Sequence, residues 1–373
     1  MSHFIPSYQR YQRQIILKEF GEAGQLKLFQ SNVLVIGAGG LGCPALQYLA
    51  AAGVGNIGIV DDDIISESNL HRQVIFSCLD IGLSKAETAK TYLSRLNNEI
   101  NIVAYNERLT TQNSLSIINN YDIIIDGTDN FATRYLINDA CVILNKPLVF
   151  GAVSQFTGQV AVFNYQQLNN QITPVNYRDL FPIAPKNNEV LNCADAGVLG
   201  VVPGFIGTMQ ACETIKLITG IGTALIDKLL TYNALNNQLF EVALTAKKIT
   251  RSLIPATKLE FEKMDYEWLC ASQDNKFEID NASFNELINQ PDVTIIDVRE
   301  PGELPTVTQF NCINIPLSLL HKKISSINNS TIIVFCQSGI RSLHAAQLLS
   351  DAFGNTKKVH SLKNGLLNWL KKT

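Results

Sequence analysis

Residues 32–63, NVLVIGAGGLGCPALQYLAAAGVGNIGIVDDD, begin with an unbroken apolar run, pass through a cluster of glycines and continue with helical spacing. Val33–Ile36 shows no polar alternation, which predicts a parallel strand buried on both faces. The glycines predict a turn, the residues after them a helix, and NIGIV a second strand. The same alternation predicts a helix at 84–96, a strand at 100–104, a strand in YDIIIDGTDN (121–130), a helix at 131–144 and a strand in KPLVFGA (146–152). The pattern then changes. GQVAVFNY (158–165) and LTYNALNNQLFEVAL (230–244) predict antiparallel strands, with a long helix from about Gly204 to Thr219 between them.

Between about 245 and 275 the alternation lapses into a charge-rich, proline-containing stretch that reads as a linker with one short helix. A smaller βα series follows: KFEID, a helix near 283–289, VTIIDV, CINIP, a helix near 317–327, TIIVF, a helix at 342–352, KVHSL and a last helix at 365–371. The expectation is an α/β protein: a Rossmann-like, mostly parallel sheet domain over 1–248, a linker over 249–275, and a small α/β domain over 276–373. A chain of 373 residues is too long for one ordinary core, in keeping with two domains.

Composition narrows the class. With 46% hydrophobic residues, 17% charged residues and a net charge of −3, a polyanion-binding surface is disfavoured, and nucleic acid with it. No apolar run approaches the ~18 residues of a membrane span, and the N-terminal residues lack the h-region of a secretory signal. The eight cysteines are scattered with no CxxC pair, which suits a reducing cytoplasm rather than a disulfide framework. Cys43 and Cys212 fall inside helix patterns, where core packing is expected.

Candidate chemistry begins at GAGGLG (37–42), a G-x-G-x-x-G between a strand and a helix. Gly37, Gly39 and Gly42 let the backbone turn tightly and approach phosphates, with the helix-opening N–H groups facing the anion. Asp61, 19 residues after Gly42, stands where a carboxylate holds ribose hydroxyls. These features alone suit NAD as well as ATP. SNLHRQ, GLSKAE and DGTDN add Asn69, Arg72, Gln73, Lys85 and Asp129. Two cations and a strand-end aspartate fit a site that cleaves a triphosphate with Mg²⁺ better than a flat nicotinamide pocket.

In order, RYQRQIIL, VLVIGAGGLGCPALQYLAAAGVG, DDDIISESNLHRQ, GLSKAE and DGTDNFATRYLIND resemble the ThiF/MoeB/HesA family, bacterial relatives of ubiquitin-activating enzymes, over roughly residues 8–245. The resemblance implies ATP-dependent adenylation of the C-terminal glycine of a ubiquitin-like sulfur-carrier protein ending in Gly-Gly. It implies Gly37, Gly39, Gly40, Gly42, Asn69, Gln73 and Asn130 around the nucleotide, Asp61 on the ribose, and Arg72 and Lys85 on the phosphates as catalytic cations. It also implies Mg²⁺ on Asp129, and Arg13 reaching the partner subunit's triphosphate in a homodimer. The thiamine, molybdopterin, tRNA-thiolation and cysteine- or siderophore-type pathways all use this chemistry, and the sequence does not select among their carriers.

Two further implications concern cysteines. VLNCADAGVLGVVPGF (190–205) resembles the segment in which several family members use a cysteine, here Cys193, to link covalently to the activated carrier. Most members also hold a structural zinc on two CxxC pairs. The first pair would fall at Asn176-Tyr177-Arg178-Asp179, and the second would follow the strand near 240, where no cysteine occurs. The expectation is no zinc, with apolar packing in its place.

The last 100 or so residues resemble a single rhodanese domain. VTIIDVREPGEL matches its D-V-R-x-x-x-E opening through Asp297, Arg299 and Glu303, CINIPL its following strand, and CQSGIRS (336–342) its active loop, although PTVTQFN replaces the usual G-H-I-x-G-A. A ring of backbone N–H groups from Gln337 to Ser342 would surround the Cys336 sulfur and stabilise a persulfide, with Gly339 permitting the curvature and Arg341 offering a cation to an anionic donor. A cysteine phosphatase loop closes C-x₅-R; here four residues separate Cys336 from Arg341, a ring sized for sulfur.

Together these features predict an adenylyltransferase and sulfurtransferase. ATP and Mg²⁺ activate the carrier, and a Cys336 persulfide, charged by a cysteine desulfurase or thiosulfate, gives a thiocarboxylate. The alternative is an NAD(P)-dependent oxidoreductase with an appended sulfurtransferase domain.

Overall fold

The computed structural model describes residues 8–166, 173–184, 197–266, 269, 275–288, 290–337 and 339–370. It contains two compact units, one ending at Tyr266 and one following it. In the first, β1 (Asn32–Ile36), β2 (Asn56–Val60), β3 (Asn101–Tyr105), β4 (Ile123–Asp126), β5 (Leu148–Ser154), β6 (Thr157–Phe163), β7 (Lys228–Asn233) and β8 (Gln238–Ala243) form one sheet. Its order is β3-β2-β1-β4-β5-β6-β7-β8. The pairings from β3 to β5 are parallel, and those from β5 to β8 antiparallel.

The continuous apolar runs become the buried middle of this sheet: β1 has four buried residues after Asn32, and β4 is buried throughout. The long helix Val201–Thr219 packs on β5 and β6. Its Gln210 is fully buried and donates to the Asp126 and Val149 carbonyls at 2.7 and 3.1 Å, tying β4 to β5. Gly151 lies beneath it because a Cβ there would meet the Gln210 amide at 2.5 Å. Cys43 is buried as its helical position suggests, but Cys212 is exposed. The spacing that put Cys212 in the core missed the helix face turned outward.

The place expected to hold apolar packing instead of zinc holds a buried polar network. Helix Tyr177–Leu180 begins at an Asn176 capping box whose Asp179 carboxylate accepts from the Asn176 N–H at 2.9 Å. The other Asp179 oxygen accepts from the Lys247 N–H at 2.9 Å and from the Thr250 hydroxyl. Arg178, 1% exposed, donates from Nε and Nη2 to Asp139 at 2.8 and 2.7 Å, and Tyr266 donates to the same carboxylate at 2.8 Å. Burial and the Asp139 charge push the Tyr266 hydroxyl well up, keeping it a donor. The Arg178 guanidinium lies over the Tyr135 ring, and Tyr135, Tyr177, Phe150 and Phe163 pack on one another beside it. Apolar packing is therefore half of the answer, and charge pairing the other half.

This network also fixes the start of the stretch that reads as a linker. Residues Lys248–Arg251 and Lys258–Glu262 are short helices, and buried Thr250, Phe261 and Tyr266 anchor them in the first unit.

The second unit is a parallel five-stranded sheet, β11-β10-β12-β13-β9. Its strands are β9 (Glu278–Ile279), β10 (Val293–Asp297), β11 (Ile313–Asn314), β12 (Thr331–Phe335) and β13 (Lys358–Leu362). Helices Asn281–Leu287, Leu317–Lys323, Ile340–Phe353 and Gly365–Leu370 connect and cover them. Among the described residues, no helix is long and apolar enough to cross a membrane.

Candidate functional site

In the first unit the strand order reverses at β1, which lies between β2 and β4, so the loops after β1 and β4 diverge and leave a crevice at their carboxyl ends. A cavity of about 360 Å³ opens there. Gly37 takes φ +95°, and a Cβ on Gly42 would meet the Gly37 carbonyl at 1.8 Å, so both are needed for the turn itself. A Cβ added at Gly39 would instead make only ordinary contacts, with the Gln73 amide nitrogen at 3.8 Å and the Gly127 carbonyl at 4.0 Å, so crowding does not require glycine there.

Ten of the predicted residues line this cavity: Gly37, Gly39, Gly40, Asp61, Asn69, Arg72, Gln73, Lys85, Asp129 and Asn130. Asp61 accepts from the Ala38 N–H at 2.7 Å and the Asp63 N–H at 2.9 Å. Burial pushes its carboxyl up, partly offset by the charge on Lys85. Lys85 is nearly buried, and its Nζ donates to Asp63 at 2.8 Å. Arg72 donates to the Ser68 carbonyl at 2.9 Å. Gln73 is 3% exposed, and its Oε1 has no hydrogen-bond partner among the described residues, so a donor on a bound ligand would satisfy it. Asp129 is exposed to the cavity, while Asn130 is also an N-cap and accepts from the Thr133 N–H at 2.8 Å. Gly42 sits behind the turn. Arg13 is exposed on helix Tyr8–Ile15 and does not line the cavity. Cys193 lies outside the described residues.

Three residues of this site carried no role in the motif reading. Asp63 holds Lys85, Arg134 donates to the Thr128 carbonyl at 2.8 Å, and Asp126, buried, accepts from the Thr128 N–H at 2.9 Å. The last two brace the loop bearing Asp129. Their signals lay in the quoted runs DDD and DGTDNFATR, but only adjacency in space reveals the bracing.

In the second unit β12 delivers Cys336 to the turn before helix Ile340–Phe353. The Cys336 residue is fully buried, and its sulfur accepts from the Gly339 N–H at 3.2 Å and the Ser342 N–H at 3.4 Å. Behind the loop, the Leu366 and Leu367 N–H groups donate to the Cys336 and Gln337 carbonyls at 2.8 and 3.2 Å. Each carbonyl turned that way turns the amide of the next residue the other way. Gly365, at φ +66°, permits this contact, because a Cβ would meet the Gly339 nitrogen at 2.5 Å. Ser361 donates to Ser342 at 2.9 Å, and Ser342 to the Gly339 carbonyl at 3.0 Å, a buried hydroxyl chain beneath the loop. Arg341 is bonded on both Nη atoms to Glu303, at 2.6 and 2.8 Å. Arg299 pairs with Asp297 through Nε, at 2.9 Å to Oδ1, and Nη2, at 2.6 Å to Oδ2, while its Nη1 donates to the Pro305 carbonyl at 3.0 Å.

A phosphate-shaped turn with cations and carboxylates, and a separate cysteine held by amides, define a two-domain transferase of the α/β class. The chain belongs to the ThiF family, whose model matches residues 11–252, and a Rhodanese-like domain matches residues 280–372. It is 40% identical over 373 residues to the "Probable adenylyltransferase/sulfurtransferase MoeZ" of Mycobacterium tuberculosis, covering 97% of this chain and 92% of that protein. It is 39% identical over 364 residues to the "Adenylyltransferase and sulfurtransferase MOCS3" of Aedes aegypti, covering 92% and 82%. Among solved structures, E. coli MccB crystallised with ATP shares the fold at a TM-score of 0.54 and 21% identity, over 64% of this chain and 72% of that one. The oxidoreductase alternative finds no support in these relatives, and the cavity is lined by the cations Arg72, Lys85 and Arg108.

Proposed function

We propose that this enzyme is an adenylyltransferase and sulfurtransferase, in which the first unit binds MgATP and adenylates the C-terminal glycine of a ubiquitin-like carrier. A carboxylate oxygen of the glycine attacks the α-phosphorus, the bond to the β-phosphate bridging oxygen breaks, and pyrophosphate leaves. In this reading Asp61 holds the ribose, Arg72 and Lys85 balance charge on the phosphoryl oxygens, and Asp129 carries Mg²⁺. The terminal sulfur of a Cys336 persulfide then attacks the acyl-adenylate carbonyl and displaces AMP, leaving an acyl disulfide. A thiolate, for which Cys193 is the candidate, attacks the Cys336 sulfur. The S–S bond breaks, the carrier departs as a thiocarboxylate, and the resulting disulfide is reduced by a cellular dithiol.

One observation carries this reading. The same chain holds an acid-and-cation cavity at its glycine turn and a cysteine sulfur bonded by two backbone amides. A homodimer is part of the proposal. Arg13 stands outside the cavity of its own chain, and the segment bordering that cavity exposes Ile64, Val74, Leu79 and Leu83. In this reading a second copy covers that patch and supplies its Arg13 to the nucleotide. The proposed compartment is the cytoplasm, where thiols stay reduced.

The test begins with mass spectrometry of the small ubiquitin-like protein that co-purifies with this chain. With it, Cys336→Ala should abolish thiocarboxylate while carrier-dependent ATP–pyrophosphate exchange persists, and Asp129→Ala should abolish both. Full thiocarboxylate production by Cys336→Ala would overturn the persulfide route.

A further inference from the structure

Arg72 and Lys85 line the same cavity but are held in different ways. The Lys85 ammonium is paired with Asp63 at 2.8 Å, and Arg134 lies 3.8 Å from buried Asp126, so each shares its charge with a carboxylate. Arg72 meets uncharged acceptors instead. Its Nη1 bonds to the Ser68 carbonyl at 2.9 Å and to His71 Nε2 at 2.8 Å. A guanidinium nitrogen only donates, so His71 Nε2 accepts, and the imidazole is neutral in this geometry with its proton on Nδ1. Among the described residues no carboxylate pairs with Arg72, and its Nε and Nη2 have no partner. Both side chains are also confined by neighbouring backbone. A Cβ at Gly200, which precedes helix Val201–Thr219, would meet the His71 carbonyl at 2.4 Å and Nδ1 at 3.0 Å. A Cβ at Gly40 would lie 3.4 Å from Arg72 Cδ, so the arginine stem rests against the glycine turn.

We infer that His71 is a positioning residue of the nucleotide site: its neutral imidazole aims the Arg72 guanidinium at the phosphates without neutralising it. The inference rests on the proposed reading of Arg72 as a phosphate-holding cation. With Nη1 engaged by Ser68 and His71, the edge formed by Nε and Nη2 stays open for bidentate contact with an oxyanion. A carboxylate in place of His71 would aim the fork equally well but would cancel part of the charge that phosphoryl oxygens require. An apolar side chain would leave the charge intact and free the arginine to rotate, so that the entropy of ordering it would oppose binding. An imidazole that accepts while uncharged avoids both losses.

The experiment titrates MgATP into the full-length chain by calorimetry. His71 is exposed, so substitutions there leave core packing alone. His71→Ala should weaken MgATP binding roughly three- to tenfold. His71→Gln, whose amide oxygen can accept where Nε2 does, should recover most of that loss. His71→Glu accepts too but carries charge, and should bind MgATP at least as weakly as His71→Ala. In an Arg72→Ala background, His71→Ala should add no further loss, because a residue that acts through Arg72 then has nothing to act on. Equal losses in both backgrounds would mean that His71 acts independently of Arg72, and the inference would be overturned. No loss in His71→Ala, no recovery in His71→Gln, or parental affinity in His71→Glu would overturn it as well. A wild-type chain that does not bind MgATP would instead overturn the nucleotide reading beneath it.

Discussion

Arg178 grips Asp139 through two hydrogen bonds, Nε to Oδ1 at 2.8 Å and Nη2 to Oδ2 at 2.7 Å, with both side chains essentially out of solvent. The pair lies beside Asp179, which joins helix Tyr177–Leu180 to residues 247–250. Removing one partner leaves the other buried and uncompensated, so Asp139→Ala should destabilise the first unit by about 3–5 kcal/mol in urea unfolding. Asp179→Ala, which frees the Lys247 N–H and the Thr250 hydroxyl, should cost roughly 1–3 kcal/mol.

If this network closes the region by itself, the purified protein should carry no stoichiometric zinc, and its melting temperature should not change on dialysis against a chelator. Elemental analysis returning one zinc per chain would refute that expectation.

Lys85 is the cation most enclosed by the cavity, and Asp63 directs it at 2.8 Å. Lys85→Ala should weaken MgATP binding by at least about tenfold, and Asp63→Ala should weaken it less, since the charge survives. Calorimetric titration with MgATP checks both. Equal losses would show that Asp63 does more than aim the ammonium.

Gly365 should tolerate no side chain. Gly365→Ala places a Cβ 2.5 Å from the Gly339 nitrogen and 2.6 Å from the Cys336 carbonyl oxygen, in a left-handed backbone conformation. The variant should lose most persulfide loading at Cys336, measured by mass spectrometry, while MgATP binding by the first unit is retained. Ser361→Ala removes only the hydroxyl chain beneath the loop and should give a smaller loss of the same kind.

The Glu303 to Arg341 pair also sets a pH dependence. The folded carboxyl titrates below its usual value of 4.5, so its stabilisation is complete above that pH and disappears as the pH falls through the lower folded value. Glu303→Gln should therefore be about 0.5–1 kcal/mol less stable than the parent at pH 7, as expected of a partly exposed pair. The gap should narrow well below pH 4.5. Urea titrations at pH 7 and pH 3 followed by circular dichroism measure it, and an unchanged gap would contradict the assignment.

Much of both sites was legible in the chain because it is local. GAGGLG lies between a strand and a helix, and CQSGIRS follows an apolar run, so each motif carries its own backbone context within a dozen residues. Asp61 and Lys85 were readable because each stands at a strand end or helix start that the hydrophobic period already placed, and Arg72 and Asp129, which lie in loops, were readable only with them as a set. Cys212 was misplaced because its helix contacts more than one layer, and periodicity alone did not say which face stayed open.

The sequence by itself determined the two α/β units, the glycine turn and the cysteine loop, since short-range sterics and hydrophobic periodicity suffice for each. Tertiary structure alone decided the partners of the charged groups. Lys85 meets Asp63 across 22 residues, Arg178 meets Asp139 across 39, and Arg341 meets Glu303 across 38. A carboxylate and a guanidinium attract at any sequence separation. Which pair forms depends on which strand ends the sheet order brings together, and no local pattern encodes that order.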